Sequence, residues 1–147
     1  MNVEAPCLAL DTDIEGVDAL LMSAKKELRL PPDFCDDNPK RTDWLKEKIR
    51  GGLIWVMRDQ YGLVGVLILE PRLDFLWLHY MAVAQRMRGE RVIGSALVQK
   101  AKTLDCRLGL KAEATSRHSR RLLEECGFEV RLACSRSGHP ILVWSRS

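Results

Sequence analysis

One stretch, Phe75–Leu97, constrains the fold of this chain more than any other. It opens with Phe75–Val83, whose aromatic and aliphatic side chains predict a strand. An Arg-rich turn with Arg88 and Gly89 follows, and apolar residues at spacings of three and four then predict a helix that includes Ile93. Free amide hydrogens and the dipole at the start of such a helix, with arginines beside them, favour an anion. The segment is neither a Walker loop nor a dinucleotide fingerprint.

Periodicity along the rest of the chain predicts a mixed sheet flanked by helices. The element order is β-α-α-β-β-β-α-β-α-β-β, with no internal repeat and no linker, so we expect one domain over residues 1–147. Further strands are predicted at Ala5–Leu10, Leu53–Met57, Leu63–Leu69, Leu108–Ala114, Phe128–Ala133 and Ile141–Trp144. Further helices are predicted at Ile14–Leu28, through Trp44 and Ile49, and at Ser116–Cys126, with a loop at Arg29–Pro39.

Composition excludes several classes of protein. The chain is 46% hydrophobic and 29% charged, which excludes disorder and collagen-like repeats. Five cysteines form no Cys-x-x-Cys pair, so we expect reduced thiols and no metal site. The first residues carry an acid and no basic run, and the apolar runs are shorter than the ~20 residues that span a bilayer. We therefore expect a cytoplasmic protein with no leader and no membrane partner.

Charge is unevenly distributed along the chain. Residues 1–38 contain nine acids and three bases, whereas the remaining residues contain 20 bases and 11 acids. The net charge of +3 is too small to indicate nucleic acid as a partner. An acidic front and a basic body indicate either two different partners or ordinary solvated faces.

Two motifs resemble those of the GNAT superfamily, the Gcn5-related N-acetyltransferases. Leu78–Leu97 is similar to the family's acetyl-CoA-binding motif, a strand followed by an Arg-Gly-x-Gly-x-Gly/Ala loop and Ser-Ala-Leu on a helix. Leu110–Phe128 is similar to the next motif, with Gly127 and Phe128 at its end. The resemblance implies an α/β (α+β) fold with a mixed, mostly antiparallel central sheet of six to seven strands, flanked by about four helices.

The resemblance also implies acetyl-CoA as co-substrate, in a gap between the strands Phe75–Val83 and Leu108–Ala114. Backbone groups near Met81 and Val83 would pair with the pantetheine arm, and the start of the following helix would hold the pyrophosphate. The candidate acetyl-CoA contacts are Met81, Val83, Arg88, Gly89, Arg91, Val92, Ile93, Gly94, Ser95, Ser116 and Ser119, and Arg86, Arg117, Arg120 and Arg121 add positive charge around them.

Two family positions carry other residues in this chain. The loop lacks one glycine, which falls on Val92 or, in another register, on Arg91. The family's tyrosine, which protonates the departing CoA thiolate, corresponds to Leu123, and leucine has no proton to donate. Tyr80, Ser119 or a water molecule is left as the proton donor.

A base is required because an alkylammonium acceptor must lose a proton before it attacks. His79 titrates near neutral pH, and strand alternation predicts that it shares a face with Trp77 and Met81. A packed histidine with satisfied ring nitrogens is the alternative interpretation of His79. The candidate catalytic residues are His79, Tyr80 and Glu113.

The expected function is transfer of an acetyl group from acetyl-CoA to a primary amine by direct attack. In this fold the loop between the first two helices usually lines the acceptor site. Here it carries Asp33, Asp36 and Asp37, which predict a cationic small-molecule or peptide acceptor. The alternative is a GNAT-fold protein that binds acyl-CoA with weak or no catalysis, as a sensor or partner subunit. No nucleic-acid partner is expected, and homodimers are common in the family.

Overall fold

The sheet at the centre of the fold has seven strands in the part of the chain that the structure describes. The computed structural model describes residues 2–88, 91–104, 109–114, 116–134 and 138–145; Gly89, Leu108 and Ser137 lie outside these ranges. The strands are β1 (Cys7–Leu8), β2 (Ile54–Asp59), β3 (Gly62–Pro71), β4 (Leu76–Val83), β5 (Leu110–Glu113), β6 (Glu129–Cys134) and β7 (Pro140–Trp144).

The strand order across the sheet is β1-β2-β3-β4-β5-β7-β6. Neighbouring strands pair antiparallel except β4 and β5, which pair in parallel. A parallel pair requires a long crossover, and the helix after β4 supplies it. The prediction of a mixed, mostly antiparallel sheet of six to seven strands is confirmed.

Helices cover both faces of this sheet. Those described are α1 (Ile14–Ser23), α2 (Lys25–Leu28), α3 (Pro32–Asp36), α4 (Asn38–Arg50), α5 (Arg91–Lys102) and α6 (Arg117–Glu125). The single helix predicted for Ile14–Leu28 is divided at Ala24, and Arg29 ends α2 with a left-handed φ of 54°. These short pieces bring the described helices to six, against the four expected.

The prediction of a loop at Arg29–Pro39 is wrong, because its prolines begin helices. Pro32 is the first residue of α3 and Pro39 lies in the first turn of α4. At these positions the missing amide hydrogen costs nothing and the fixed φ favours the helix. Asp37 caps α4, since its carboxylate accepts a hydrogen bond of 3.0 Å from the Lys40 amide.

The core has one hydrophobic layer on each side of the sheet. On one side, α5 and α6 pack against residues that include Leu69, Leu110 and Leu142. On the other, α1 and α4 contribute Leu21 and Leu45 to a second layer. Helix α5 approaches β3 closely, because the glycine at position 65 has no side chain between them.

A gap opens between β4 and β5. The two strands pair only over Leu76–Leu78 and Leu110–Ala112, and β4 then runs on to Val83 while β5 ends at Glu113. The edge of β4 beyond Leu78 therefore has no described strand beside it on that side.

A β-bulge in β4 reorients the residues at this gap. Leu69 is opposite Leu78 and Ile68 is opposite Tyr80, so His79 is the extra residue. Met81 then packs on the α5 side, whereas the His79 ring lies against Trp44 of α4. The predicted common face of His79 and Met81 is therefore wrong, because an inserted residue interrupts strand alternation.

None of the described helices combines the length and the apolar character needed to cross a lipid bilayer.

Candidate active site

The gap between β4 and β5 widens into a cleft with two hollows. The inner hollow, of about 390 Å³, and the outer hollow, of about 460 Å³, have Leu28, Met81 and Ser119 as common walls, and both are the size of a small-molecule site. The inner hollow is also lined by Arg29, Trp77, His79, Tyr80, Glu113 and Leu123. The outer hollow is also lined by Glu27, Val83, Arg88, Arg91, Gly94, Ser116 and His118.

The start of α5 supplies backbone donors at the outer hollow. The amides of Arg91, Val92 and Ile93 are in the first turn, so they have no carbonyl partner within the helix. Ile93 is 1% exposed in the core, so only its backbone can serve a ligand. Val92 has an ordinary negative φ, since Arg29 is the only described non-glycine residue with a positive one. Because Val92 needs no positive φ, the absence of a glycine at this position does not disturb the start of α5.

Two arginines line the outer hollow, and each has an acidic partner. Arg88 Nη1 lies 3.2 Å from a carboxylate oxygen of Glu27, and Arg91 is paired with Glu125. Arg86, by contrast, donates hydrogen bonds of 2.5 and 2.7 Å to Asp59 and does not line the cleft. The β2–β3 hairpin therefore holds Arg86 outside the lining of both hollows, so any charge that it adds around a ligand acts at longer range.

The cap of α6 joins the two hollows. The Ser119 amide donates to Ser116 Oγ at 3.0 Å, and the Ser116 amide donates to Ser119 Oγ at 3.1 Å, which is a reciprocal capping box. The Ser119 hydroxyl in turn donates to the Ser116 carbonyl at 3.0 Å. Its proton is thereby committed, which makes Ser119 a poor proton donor to a ligand.

Two members of the predicted site, Ser95 and Gly94, have contacts within the protein that account for them. The Ser95 hydroxyl is 3.9 Å from Cys126 Sγ and does not line either hollow. Gly94 does line the outer hollow, but as a buried helical residue against Leu122, where a Cβ would lie 2.8 Å from Leu122 Cδ2. Its small size serves the packing of α5 on α6. Gly89 lies outside the described residues.

Aromatic rings enclose the two candidate catalytic side chains of β4. The ring centroids of His79 and Tyr80 are 4.0 Å apart, and each lies 6.2 Å from the Trp44 centroid. Phe34 packs edge-on against Trp44 at 5.4 Å. The bulge thus places an imidazole and a phenol side by side at the inner hollow.

The surroundings favour the neutral forms of both side chains. Burial lowers the pKa of His79, and Glu70, whose Oε2 is 3.6 Å from His79 Nδ1, opposes that shift. Burial also raises the pKa of Tyr80, aided by the charges of Glu70, Cys35 and Glu113. At neutral pH the histidine therefore has a nitrogen free to accept a proton and the tyrosine keeps its proton to donate.

Comparison with known proteins identifies the family. The sequence profile described as Acetyltransferase (GNAT) family matches residues 20–128. The chain belongs to the GNAT acetyltransferase family. No curated protein sequence matches the chain.

Solved GNAT structures share the fold across nearly the whole chain. The PaiA N-acetyltransferase of Thermoplasma acidophilum, in complex with coenzyme A, is 13% identical with a TM-score of 0.77, over 99% of this chain and 100% of that one. An N-acetyltransferase of Staphylococcus aureus is 18% identical with a TM-score of 0.75, over 99% of both chains. The polyamine N-acetyltransferase of Drosophila melanogaster is 13% identical with a TM-score of 0.73, over 99% of this chain and 100% of that one. The predicted family, enzyme class and fold are confirmed.

The acidic residues predicted to bind the acceptor do not line the cleft of this GNAT protein. Asp33, Asp36 and Asp37 are exposed on and after α3. Asp33 lies 3.6 Å from Lys40 Nζ, and Asp37 caps α4. The carboxylate that the structure does bring to the inner hollow is that of Glu113.

Sequence reasoning missed two further residues at the site. Arg29 lines the inner hollow with a left-handed backbone, which a non-glycine residue adopts rarely. Glu70 lies near the end of β3, within 3.6 Å of His79. Glu70 could have been noticed from the sequence, because it is a charged residue at the end of an apolar run and directly before Pro71. No local sequence pattern marks Arg29.

The predicted basic stretch forms a shallow surface beside the outer hollow. Arg117 and Arg121 lie there with His118. Arg120 is paired with Glu124 at 2.9 Å, which balances part of this charge. No group of three or more His, Cys, Asp or Glu that could hold a metal ion occurs among the described residues.

Proposed function

We propose that this protein transfers an acetyl group from acetyl-CoA to a primary amine that is itself a cation. The observation that carries the proposal is the adjacency of the two hollows, one at the start of α5 and one with the His79 imidazole beside the Tyr80 phenol. Such a cleft suits a long anionic donor at one end and an amine at the other.

The outer hollow fits the donor. The amides at the start of α5 and the guanidinium groups of Arg88 and Arg91 suit a pyrophosphate. The edge of β4 from His79 to Val83 can pair with the pantetheine amides in the manner of an added strand. Acetyl-CoA, when bound, supplies the activated thioester.

The inner hollow fits the proton transfers. His79 takes one proton from the ammonium group, which frees the nitrogen lone pair for attack on the acetyl carbon. A C–N bond forms and the C–S bond breaks. Tyr80 gives its proton to the departing thiolate, and the second proton shed by the nitrogen restores the phenol. This assigns Tyr80 the role that Leu123 cannot fill, and Ser119 is disfavoured because its proton is already committed.

Acidic groups support a cationic acceptor. Glu113 lines the inner hollow, and Glu70 lies behind His79. A polyamine N-acetyltransferase that forms N-acetylagmatine and an agmatine N-acetyltransferase are among the proteins with this fold. We infer a small polyamine-like or guanidino-amine acceptor, with Asp33, Asp36 and Asp37 acting on it only at longer range.

The test is thiol release from acetyl-CoA across a panel of amines. Agmatine, spermidine and a lysine peptide should release CoA faster than a neutral aromatic amine. His79→Gln should reduce kcat/KM by about 100-fold or more with CoA binding unchanged. The matched control is His139→Gln, since His139 immediately precedes β7 and lines neither hollow, and it should not reduce kcat/KM in this way. Absence of thiol release with every amine, or full activity of His79→Gln, would contradict the proposal.

The buried leucine at the tyrosine position favours one second candidate. Leu123 is 4% exposed at the inner hollow, so it supplies packing and no proton. The protein would then bind acyl-CoA with weak or no turnover. Calorimetric titration separates the candidates, since CoA binding without thiol release supports this second function alone.

A further inference from the structure

Glu70 connects the end of β3 to the candidate base on β4. It is opposite Trp77 in the strand register, and His79 follows two residues later on the same strand. Its Oε2 lies 3.6 Å from His79 Nδ1, and its Oε1 lies 3.5 Å from Arg72 Nη2. The side chains of Glu70 and His79 are 29% and 27% exposed, so water screens the pair only in part.

We propose that Glu70 is a positioning residue for His79, a proposal that rests on the amine transfer argued above. Its carboxylate turns Nδ1 of the imidazole towards β3 and stabilises the positive charge that His79 acquires when its other nitrogen, Nε2, accepts the ammonium proton. The N–H bond of the ammonium breaks, an N–H bond to Nε2 forms, and the charge of the acceptor moves onto the imidazole beside an anion.

The other charges around the imidazole make this carboxylate necessary. The titratable and charged groups that act on His79 or lie in contact with it are Glu70, Arg72 at the end of β3, Lys48 of α4 and Tyr80 of β4. Lys48 and Arg72 both disfavour a protonated imidazole, as does burial against Trp44. Glu70 opposes the effects of Lys48, Arg72 and burial. His79 must become a cation when it acts as a base, so it depends on the Glu70 carboxylate.

The separation of 3.6 Å is longer than a hydrogen bond and within the range of an ion pair. Catalytic hydrogen bonds are often long in the absence of substrate and shorten in the complex. Protonation of His79 would itself draw the imidazole and the Glu70 carboxylate together, because the imidazole then carries a positive charge beside a negative one.

The test uses Glu70→Gln, which keeps the shape and removes the charge. Loss of the carboxylate should lower the pKa of His79, so the acid limb of the kcat/KM profile should move down by about half to one pH unit. The rate on the plateau should fall about 3- to 10-fold, because a weaker base removes the proton less effectively. Glu70→Asp should recover part of both. The matched control is Glu129→Gln, an exposed carboxylate on β6 whose partner is Arg131.

Nuclear magnetic resonance titration of the His79 ring gives a readout that needs no turnover. The same downward shift should appear in Glu70→Gln and be absent in Glu129→Gln. A wild-type protein that releases no thiol would overturn the proposed function, whereas an unmoved His79 titration and an unmoved acid limb would overturn the role of Glu70. A lower Tm with neither shift would likewise overturn it, because it would leave Glu70 a purely structural role.

Discussion

The close approach of α5 to β3 links stability to donor binding through Gly65. A Cβ at this position would lie 2.6 Å from Ile93 Cγ2 and 3.2 Å from Leu97 Cδ1. Both neighbours are at most 1% exposed, so neither can swing out into solvent. Gly65→Ala therefore forces α5 to move, and overpacking of this kind costs about 1–3 kcal/mol.

Two measurements follow from this displacement. The Tm of Gly65→Ala should fall by about 3–10 °C. Ile93 belongs to the first turn of α5, and Arg91 and Gly94 of the same turn line the outer hollow, so the Kd for CoA should also rise, by about 3- to 10-fold. Thermal unfolding and calorimetric titration check the two effects separately.

Gly51→Ala is the matched control for the added methyl group. Gly51 has a φ of −78°, and its Cβ would meet Leu53 Cδ1 at an ordinary 3.4 Å. It should keep the wild-type Tm within about 2 °C and the wild-type Kd. A Gly65→Ala protein with wild-type Tm would refute the packing argument. A lower Tm with an unchanged Kd would refute the link between this contact and the donor site.

Three further predictions concern charge. Arg86 lowers the pKa of Asp59 to about 2, so the stability that this pair contributes is present above pH ~4 and lost as pH falls towards 2. Asp59→Asn should therefore be less stable than the wild type by a constant amount above pH ~4, and the difference in the free energy of unfolding should shrink as pH falls towards 2. Glu27→Gln should release Arg88 from its ion pair and lower the Kd for CoA about 2- to 5-fold at low salt. The gain in affinity should shrink as salt is added, and an equal gain at about 1 M salt would contradict an electrostatic cause. The triple variant Asp33→Asn, Asp36→Asn and Asp37→Asn should raise the acceptor KM about 2- to 3-fold at low salt and leave CoA affinity unchanged. The rise in KM should disappear at high salt, because these carboxylates are exposed and lie outside the cleft; a salt-independent rise would indicate direct contact with the acceptor.

Local sequence patterns were enough to predict β4, α5 and α6, because each is set by contacts between near neighbours in the chain. The apolar period of three and four residues specifies the buried stripe of α5, which includes Ile93 and Leu97. The helix predicted at Ser116–Cys126 is α6, and Ser116 is its cap. The position of α5 after β4 follows from the same pattern, and it places the start of α5 beside the outer hollow.

The bulge could not be predicted, because it depends on a partner strand. Nothing in Phe75–Val83 alone says that Leu69 pairs with Leu78 while Ile68 pairs with Tyr80. A single inserted residue moves every later side chain to the opposite face. For this reason the sequence could offer His79 as a candidate base, but it could not say that His79 and Met81 lie on opposite faces of the sheet.

The uneven charge along the chain has a different meaning in three dimensions. Five of the acids in residues 1–38 pair with bases of the later chain: Glu4 and Asp13 with Arg58, Asp18 with Arg41, Glu27 with Arg88, and Asp33 with Lys40. Arg41 is 5% exposed, so its pair with Asp18 joins α1 to α4 within the protein.

These pairs change the interpretation of the acidic front. A carboxylate bound to an arginine offers little charge to an external partner, and Arg58 lowers the pKa of Asp13 through their hydrogen bonds. Acidic residues of positions 1–38 therefore neutralise basic residues of the later chain, and this part of their charge is not available to a ligand. Glu27 differs from the other paired acids because its partner Arg88 lines the outer hollow, where a bound phosphate, if the proposed function holds, would compete for the same guanidinium group.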